Sequence, residues 1–464
     1  MKYDLIIIGS GPGGYVAGIR ASQLNLKVAI IEKADLGGVC LNWGCIPTKA
    51  LLKSAQVFQY AKHASQYGIN VGEEVTPDFS AIVNRSRNIA SQMSKGVEFL
   101  MKKNKIDLIS GFGKVLPNRQ VEVTQADGNK TLYEAEHVLL ATGARSRELP
   151  HILQDGKKII GYREALTLDH LPTSMVVMGS GAIGSEFAYF YASMGTKVTL
   201  VEFLPNVVPV EDEEISRQLE RSFRKLGVKV MTSSSVEKVE VKDDVCYVTV
   251  KDGKGKEIEI ETEIVLSAVG VIPNLEGIGI EECNIKVEKN KIVVDEFYRT
   301  SSDGVYAIGD IVHGPALAHV ASREAVICVE KIAGLDVLPM DYANIPGCTY
   351  TSPEVASVGM TEKAALAQGK EILVGKFPFM ASGKATASGN RDGMVKVIFD
   401  KETDLLLGCH LIGENVTEMI SGAVVARTKG VTGKEILHSV HPHPTLSEAI
   451  MEATANAYGE AIHL

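Results

Sequence analysis

Short apolar runs separated by glycine-rich turns set the rhythm of the chain. Asp4 to Ile8 is strand-sized, Gly9-Ser10-Gly11-Pro12-Gly13-Gly14 follows, Ala17 to Leu24 has helical spacing, and a second run from Lys27 to Ile31 ends at Glu32. Strand, glycine turn, helix, strand and acid in that order predict a dinucleotide-binding unit. Gly9 permits the tight turn, Gly11 lets the backbone approach a pyrophosphate, and Gly14 lets the helix pack close to the strand. The helix N-terminus offers free N–H groups to the phosphates, and Glu32 can accept from a ribose diol. The pattern then returns. Met175 to Met178 leads into Gly179-Ser180-Gly181-Ala182-Ile183-Gly184, a helical stretch through Ala192, and the run Lys197 to Val201 ending at Glu202. In both copies the acid lies 23 positions after the first glycine. One glycine turn is a weak signal; two with the same spacing to an acid predict two dinucleotide sites.

Glu202 also selects the second cofactor. A carboxylate at that strand end suits a free ribose hydroxyl and repels a 2′-phosphate, and Glu202-Phe203-Leu204 supplies no Arg, so NAD is expected over NADP. Two further runs resemble each other: Val138 to Leu140 enters Ala141-Thr142-Gly143, and Ile264 to Leu266 enters Ser267-Ala268-Val269-Gly270. Each reads as a strand closing one nucleotide unit. The hairpins before them, Val121–Tyr133 and Val239–Ile260 with turns at Asp243-Asp244 and Asp252-Gly253, read as antiparallel scaffold. The charged helix from Glu211-Asp212-Glu213-Glu214 to Lys225 reads as a solvated face, its acids and bases placed as the helix dipole prefers. It carries no partner signal. A helix at Lys363–Gln368 and a strand at Met394–Phe399 read as scaffold too.

Composition narrows the class without changing this picture. The chain of 464 residues is 45% hydrophobic and 23% charged, enough for several packed cores. A net charge of −9 and the lack of a long Lys/Arg stretch argue against a nucleic-acid or anionic-membrane surface. No apolar run approaches the roughly 18 residues a membrane helix needs. A strand pattern starting at once, with no leader in front of it, makes the expected location cytoplasmic. Seven cysteines in a chain this long do not form a secreted disulfide framework. Cys246, Cys283, Cys328, Cys348 and Cys409 are scattered and read as buried apolar filler.

Cys40 and Cys45 are different. They stand in Gly37-Gly38-Val39-Cys40-Leu41-Asn42-Trp43-Gly44-Cys45-Ile46-Pro47-Thr48-Lys49. Five positions apart in an unbroken helix, the two residues would be roughly 8 Å apart, too far for a disulfide. Gly44 and Pro47 offer a break, with a helix running on to about Tyr60. A thiolate at that helix N-terminus would be stabilised. Zinc would want two more ligands, and no second cysteine pair exists, so no metal is expected. Two inert thiols would not explain the glycine approach. The segment reads as a redox-active disulfide.

With these motifs in place, the chain resembles the pyridine nucleotide–disulfide oxidoreductase family over essentially its whole length. Gly304-Val305-Tyr306-Ala307-Ile308-Gly309-Asp310 and a C-terminal His-Pro-Thr segment add to the likeness. Within the family it looks like the dihydrolipoamide-oxidising branch, through the cysteine run, Tyr350-Thr351-Ser352-Pro353-Glu354-Val355-Ala356-Ser357-Val358-Gly359 and His441-Pro442-His443-Pro444-Thr445-Leu446-Ser447-Glu448. Trp43 departs from the smaller residue common there, and Pro442 from an alanine. The resemblance implies an α/β fold with two Rossmann-like domains, for FAD and NAD, and a C-terminal α+β dimerisation domain. The expected boundaries are 1–146 and 271–340 for FAD, 147–270 for NAD and 341–464 for the interface.

The resemblance also assigns roles. FAD would be held by Gly9, Gly11, Gly14, Glu32, Lys49, Thr142, Gly143, Asp310 and Ala318, with Asp310 an exposed acid after a short buried strand, Val305 to Ile308. NAD would be held by Gly179, Gly181, Gly184, Glu202 and Gly270. Cys40 would be the interchange sulfur and Cys45 the sulfur against the flavin. Lys49 and Glu186 would pair beside it. His443 would act as general base, oriented by Glu448, across a homodimer interface. The implied activity is NAD-dependent oxidation of dihydrolipoamide. The implied partner is a lipoyl domain of an acyltransferase or a glycine-cleavage carrier, inside a 2-oxoacid dehydrogenase or glycine-cleavage complex. A glutathione-type reductase is the rival within the family, opposed by Glu202. A FAD-stabilised docking protein is the rival outside enzymes, opposed by the retained Cys40, Cys45, His443 and Glu448. Reductases with an extra C-terminal cysteine pair do not match, because the last cysteine is Cys409.

Overall fold

The computed structural model describes residues 2–72 and 74–464. It divides into two compact units. The first comprises Met1–Ala50, Ala81–Arg147 and Gly270–Asp341; the second comprises Leu51–Ser80, Glu148–Val269 and Tyr342–Leu464.

The first unit is built on one sheet. Its strands are β1 (Lys2–Ile8), β2 (Val28–Glu32), β3 (Asp107–Ser110), β4 (Phe112–Leu116), β5 (Gln120–Thr124) and β6 (Lys130–Leu140), in the order β3-β2-β1-β6-β5-β4. Val305–Ala307 pairs parallel to β6, and β1, β2, β3 and β6 are mutually parallel. The hairpin β5–β6 and its extension β4 are antiparallel, as expected. Alternate residues of the parallel strands feed two cores, because successive side chains leave a strand on opposite faces. Leu5, Ile7, Ile30 and Leu139 pack with Ala17 and Ala21 of helix α1 (Pro12–Gln23), whereas Ile6, Ile8, Ile31 and Leu140 pack with Val115 and Val121. Three more helices follow in sequence: α2 (Gly38–Asn42), α3 (Cys45–Lys62) and α4 (Phe79–Lys103).

In the second unit, a parallel sheet runs in the order Lys229–Met231, Lys197–Val201, Ser174–Met178, Ile264–Ser267, Ile159–Ile160. The predicted turn at Asp243-Asp244 joins the antiparallel strands Ser235–Lys242 and Val245–Lys251, and both turn residues have positive φ. The C-terminal part is an antiparallel sheet of Gly347–Thr349, Glu354–Gly359, Leu406–Gly413, Met394–Asp400 and Ile372–Pro378. Residues of the helices Val416–Lys429 and Glu448–Ala457 share its core. Among the described residues no helix is long and apolar enough to cross a membrane. Cys246, Cys283, Cys328 and Cys409 are buried, and Cys348 is half-buried.

The charged helix is not a simple solvated face. It spans Glu213–Lys225, and Asp212, its N-cap, accepts from the Glu214 N–H. Asp212 is buried and paired with Lys396, itself buried on the strand Met394–Asp400. Glu214 and Glu362 reach the same ammonium at 2.7 and 2.6 Å. A lysine placed in a core-facing register needs carboxylate partners, and the acids at the start of this helix supply them. The strand read as plain scaffold therefore carries a buried ion cluster.

Glu211 lies beside that cluster and, among the described residues, has no ion-pair partner. Burial pushes its carboxyl up to about 7, the Ser357 hydroxyl opposes this and the Asp212 charge adds to it. One of its oxygens has no hydrogen-bond partner. The folded protein holds this proton between the ordinary carboxylate range and pH 7, whereas the unfolded chain releases it. Stability from this group is therefore full at low pH and is lost as pH rises through 7. Glu211→Gln is expected to flatten the dependence of melting temperature on pH between 5 and 8. It should also stabilise the protein at pH 8 by up to ~3 kcal/mol. Parallel melting curves for the two proteins across that range would refute this.

Candidate active site

The two glycine turns are the same device built twice. Gly9 and Gly179 have φ of +104° and +93°, and a Cβ on either would run into a backbone carbonyl, of Ala141 and Ala268 respectively. Gly14 and Gly184, in the first turns of their helices, lie against the carbonyls of Gly9 and Gly179, where no side chain fits. Gly11 and Gly181 differ. Each caps its helix with an ordinary φ, and a Cβ there would meet nothing within 4 Å. The fold itself does not demand glycine at these two places; a dinucleotide lying against the backbone would. The acids match as well. Glu32 accepts from the Ser10 N–H and hydroxyl and the Ala34 N–H, and Glu202 accepts from the Ser180 N–H and hydroxyl and the Leu204 N–H. Each carboxylate is thus fixed at its strand end with lone pairs left for a ribose.

The cysteine segment begins on the first of these turns. The Gly37 N–H donates to the Ser10 carbonyl, and a Cβ on Gly38 would lie 2.7 Å from the Gly11 Cα. Only glycines allow the chain to cross the turn so closely. Helix α2 then carries Cys40 and stops at Asn42. Trp43 leaves helical geometry at φ −137°, and α3 restarts at Cys45. This break is what brings the two sulfurs together. Cys40 and Cys45 stand within hydrogen-bonding reach of each other. Their hydrogen bond, then burial and the Cys45 charge, push the Cys40 thiol well up, against the nearby Lys49 cation.

Helix α4 braces the segment at points the sequence did not reveal. Arg87 Nη1 donates to the Asn42 carbonyl at 2.6 Å, and its guanidinium lies 4.2 Å over the Trp43 ring. Ser94 donates to the Asn42 side-chain oxygen and the Leu36 carbonyl, Ser86 to the Pro47 carbonyl, and Arg85 to the Ala50 carbonyl. No motif marks these residues. Only the repeated Arg and Ser in a long amphipathic helix could have hinted at them.

The remaining positions of the first unit also fall near its strand ends. Thr142 donates its hydroxyl to the Asn274 carbonyl, Gly143 has φ +68°, and Ala318 opens the helix Ala318–Ile332. Asp310 is not the exposed acid expected. It sits in a tight turn, Gly309–Ile311, and burial pushes its carboxyl up, with Lys291 opposing. The turn leaves the acid half-buried after the strand. These residues fit a dinucleotide laid along Gly9–Gly14. In the second unit, the strand Ile264–Ser267 pairs with Ser174–Met178, which feeds the second turn; Gly270, three residues on, opens the next segment of the first unit.

His443 and Glu448 meet as expected. The His443 Nδ1 is 2.8 Å from Glu448 Oε1, and Glu448 Oε2 accepts from the Thr445 N–H. Glu448 opens the helix Glu448–Ala457. Its burial raises the carboxyl's pKa, but the Thr445 N–H and the His443 ring outweigh this and hold it below the ordinary value. The imidazole is exposed and its Nε2 points away from this bond, so an oriented base is presented outward. Glu186 is buried on the helix Ala182–Met194 and accepts from the Tyr350 N–H at 3.0 Å. Lys49 belongs to the first unit and Glu186 to the second.

Comparison with known proteins shows the family. Residues 3–325 match the pyridine nucleotide-disulphide oxidoreductase family, and residues 345–454 match the dimerisation domain of the same family. A dihydrolipoyl dehydrogenase of Rhizobium etli is 49% identical, covering 100% of this chain and 99% of its own. One of Zymomonas mobilis is 47% identical, covering 99% of both. Among solved structures, LpdA of Mycobacterium tuberculosis superposes with a TM-score of 0.90 at 28% identity, over 97% of this chain and 98% of its own.

Proposed function

Since the chain belongs to the pyridine nucleotide–disulphide oxidoreductase family, we propose that it oxidises dihydrolipoamide to lipoamide through Cys40 and Cys45, with FAD and NAD as cofactors. The observation that carries this reading is the broken helix that puts two thiols in contact directly on a dinucleotide turn. The flavin and the nicotinamide, when bound, supply the two-electron chemistry that takes the pair's electrons onward. Residues 1–146 and 271–340 would carry FAD, 147–270 NAD, and 341–464 the interface. The dimerisation-domain match supports a homodimer.

The protein's own groups have distinct tasks. The His443 Nε2 takes a proton from one substrate thiol, while Glu448 holds the ring and stabilises the imidazolium. The substrate thiolate attacks the Cys40 sulfur of the disulfide, and Cys45 leaves as a thiolate. The second substrate thiol closes on the first substrate sulfur and passes its proton to the departing Cys40 sulfur. Lipoamide is released, and the pair is left reduced, with Cys40 a thiol, Cys45 a thiolate and the other proton on His443. Lys49 places positive charge beside the sulfurs and favours thiolate there. His443 and Glu448 would serve the cysteines of the other chain of the dimer. The substrate in the cell would be a lipoyl group on a carrier domain of a 2-oxoacid dehydrogenase or glycine-cleavage complex, and the cytoplasm its location.

The test is turnover of dihydrolipoamide by the flavin-loaded protein with NAD, run beside NADP. Glu202 fixes a negative charge where a 2′-phosphate would sit, and like-charge contact of this kind costs several kcal/mol, so NAD should be preferred by roughly 100-fold. Activity with NADPH and glutathione disulfide, and none with dihydrolipoamide, would overturn the substrate assignment.

A further inference from the structure

Trp43 lies between the two cysteines, and the proposed reaction makes no use of it. Its surroundings give it a task. The break at Trp43 leaves the Asn42 carbonyl, the last of α2, without a helical partner, and an orphan carbonyl at a helix end needs a donor from elsewhere. Arg87 supplies it at 2.6 Å, and the same guanidinium covers the Trp43 indole at 4.2 Å from the ring centroid. A planar cation with several fixed donors can do both at once; a lysine cannot. Two helical turns further along α4, Ser94 locks the Asn42 side chain, whose amide donates to the Leu36 and Gly38 carbonyls. On the other side of the break, Ser86 holds the Pro47 carbonyl. The break is thus gripped before and after the point where it occurs.

We infer that Arg87, stacked on Trp43, is a positioning residue for the cysteine pair: it fixes the helix break at the geometry that holds the Cys40 and Cys45 sulfurs together. This rests on the reading that the pair cycles between dithiol and disulfide. Holding two thiols at one geometry raises the effective concentration of each for the other and favours the bridged form. Releasing the clamp lets the break relax toward continuous helix, in which the sulfurs separate. The pair should then be easier to reduce.

The test is a redox titration of the flavin-loaded full chain in buffers of reduced and oxidised dithiothreitol. Two electrons and two protons pass from the reagent to the protein disulfide, and free thiols are trapped with iodoacetamide and counted by mass. Arg87→Ala and Trp43→Ala should each shift the equilibrium roughly tenfold toward the dithiol, about 30 mV for a two-electron couple. Trp43→Phe keeps an aromatic face for the guanidinium and should recover most of the shift. Arg87→Lys should recover little. A wild-type equilibrium in either alanine variant, with only its melting temperature lowered, would overturn the inference and leave Arg87 a packing residue. If Arg87→Ala does not load flavin, the Trp43→Ala and Trp43→Phe pair decides. Failure of both alanine variants to fold counts against it, because the contact would then serve the fold. No bridging of Cys40 to Cys45 in the wild type at any ratio would instead sink the disulfide reading itself.

Discussion

Replacing His443 by glutamine is expected to slow reduction of the oxidised enzyme by dihydrolipoamide by about 10²–10⁴-fold, the usual worth of a positioned general base. The geometry that supports this is local and complete. Glu448 receives the imidazole at 2.8 Å on one oxygen and the Thr445 N–H on the other, so the carboxylate is itself held while it holds the ring. Because those bonds outweigh burial and keep Glu448 ionised well below neutral pH, the orienting charge is present wherever the base is in use. A glutamine side chain keeps some hydrogen-bonding capacity but accepts no proton. The measurement is rapid-mixing absorbance in two directions. Reduction by dihydrolipoamide should fall, and reduction of the same protein by NADH should not, because His443 has no part in that half. Glu448→Gln should show the same selectivity with a smaller loss, since the ring stays in place but its cationic form loses its counter-charge. Equal losses in both directions would show that the histidine acts on the fold or on flavin loading, and the base assignment would fall.

How much of this could be read from the chain depends on what kind of signal each feature leaves. The twin turns were legible because glycine at Gly9 and Gly179 answers to positive φ, and the acids Glu32 and Glu202 answer to a strand end. Both are local requirements, so they sit at fixed spacing. The cysteine pair was legible for the same reason: Gly44 and Pro47 offer a break, and the helix breaks at Trp43 and Gly44. The His443–Glu448 bond spans five positions and could be guessed. The bracing of the redox segment could not. Ser86, Arg87 and Ser94 act on carbonyls between 39 and 58 positions away in sequence. An Arg or Ser on an amphipathic helix looks the same whether it faces water or a broken helix. Asp310 was misjudged because a strand end says nothing about whether the following turn folds outward or inward. The charged helix was misjudged because its partner, Lys396, lies 184 positions from Asp212. Charge at a helix start satisfies the dipole and a distant buried lysine equally well, and only the tertiary structure tells which.

Lys396→Met is expected to destabilise the protein by about 3–5 kcal/mol, the cost of leaving buried charges without their partner. Lys396 is 2% exposed and accepts no substitute from water. Its ammonium donates to both oxygens of Asp212 at 2.9 and 3.1 Å, and is 2.7 Å from Glu214 and 2.6 Å from Glu362. Burial lowers its pKa, but the Glu214, Glu362 and Asp212 carboxylates outweigh that and raise it. Conversely, this lysine helps hold Asp212 and Glu214 below their ordinary values despite their burial. The stability those two acids contribute is present above their unfolded pKa and is lost as pH falls through the depressed folded values. Methionine fills the space of the lysine stem and leaves three carboxylates facing one another. Glu214 keeps Lys376 at 2.8 Å and the half-exposed Glu362 can turn to water, so the buried Asp212 is left to relieve the repulsion by taking up a proton. The deficit of the variant should therefore be largest near pH 8 and shrink toward pH 5, a dependence that a simple packing defect would not show. Urea unfolding at the two pH values, with wild type alongside, measures it; the unfolding of a chain with two compact units calls for a midpoint in each rather than a single fitted energy. A deficit below about 1 kcal/mol would mean that the cluster behaves as a solvated surface pair. A deficit that does not vary with pH would mean that the lost stability comes from packing around the lysine stem and not from the charges it joins.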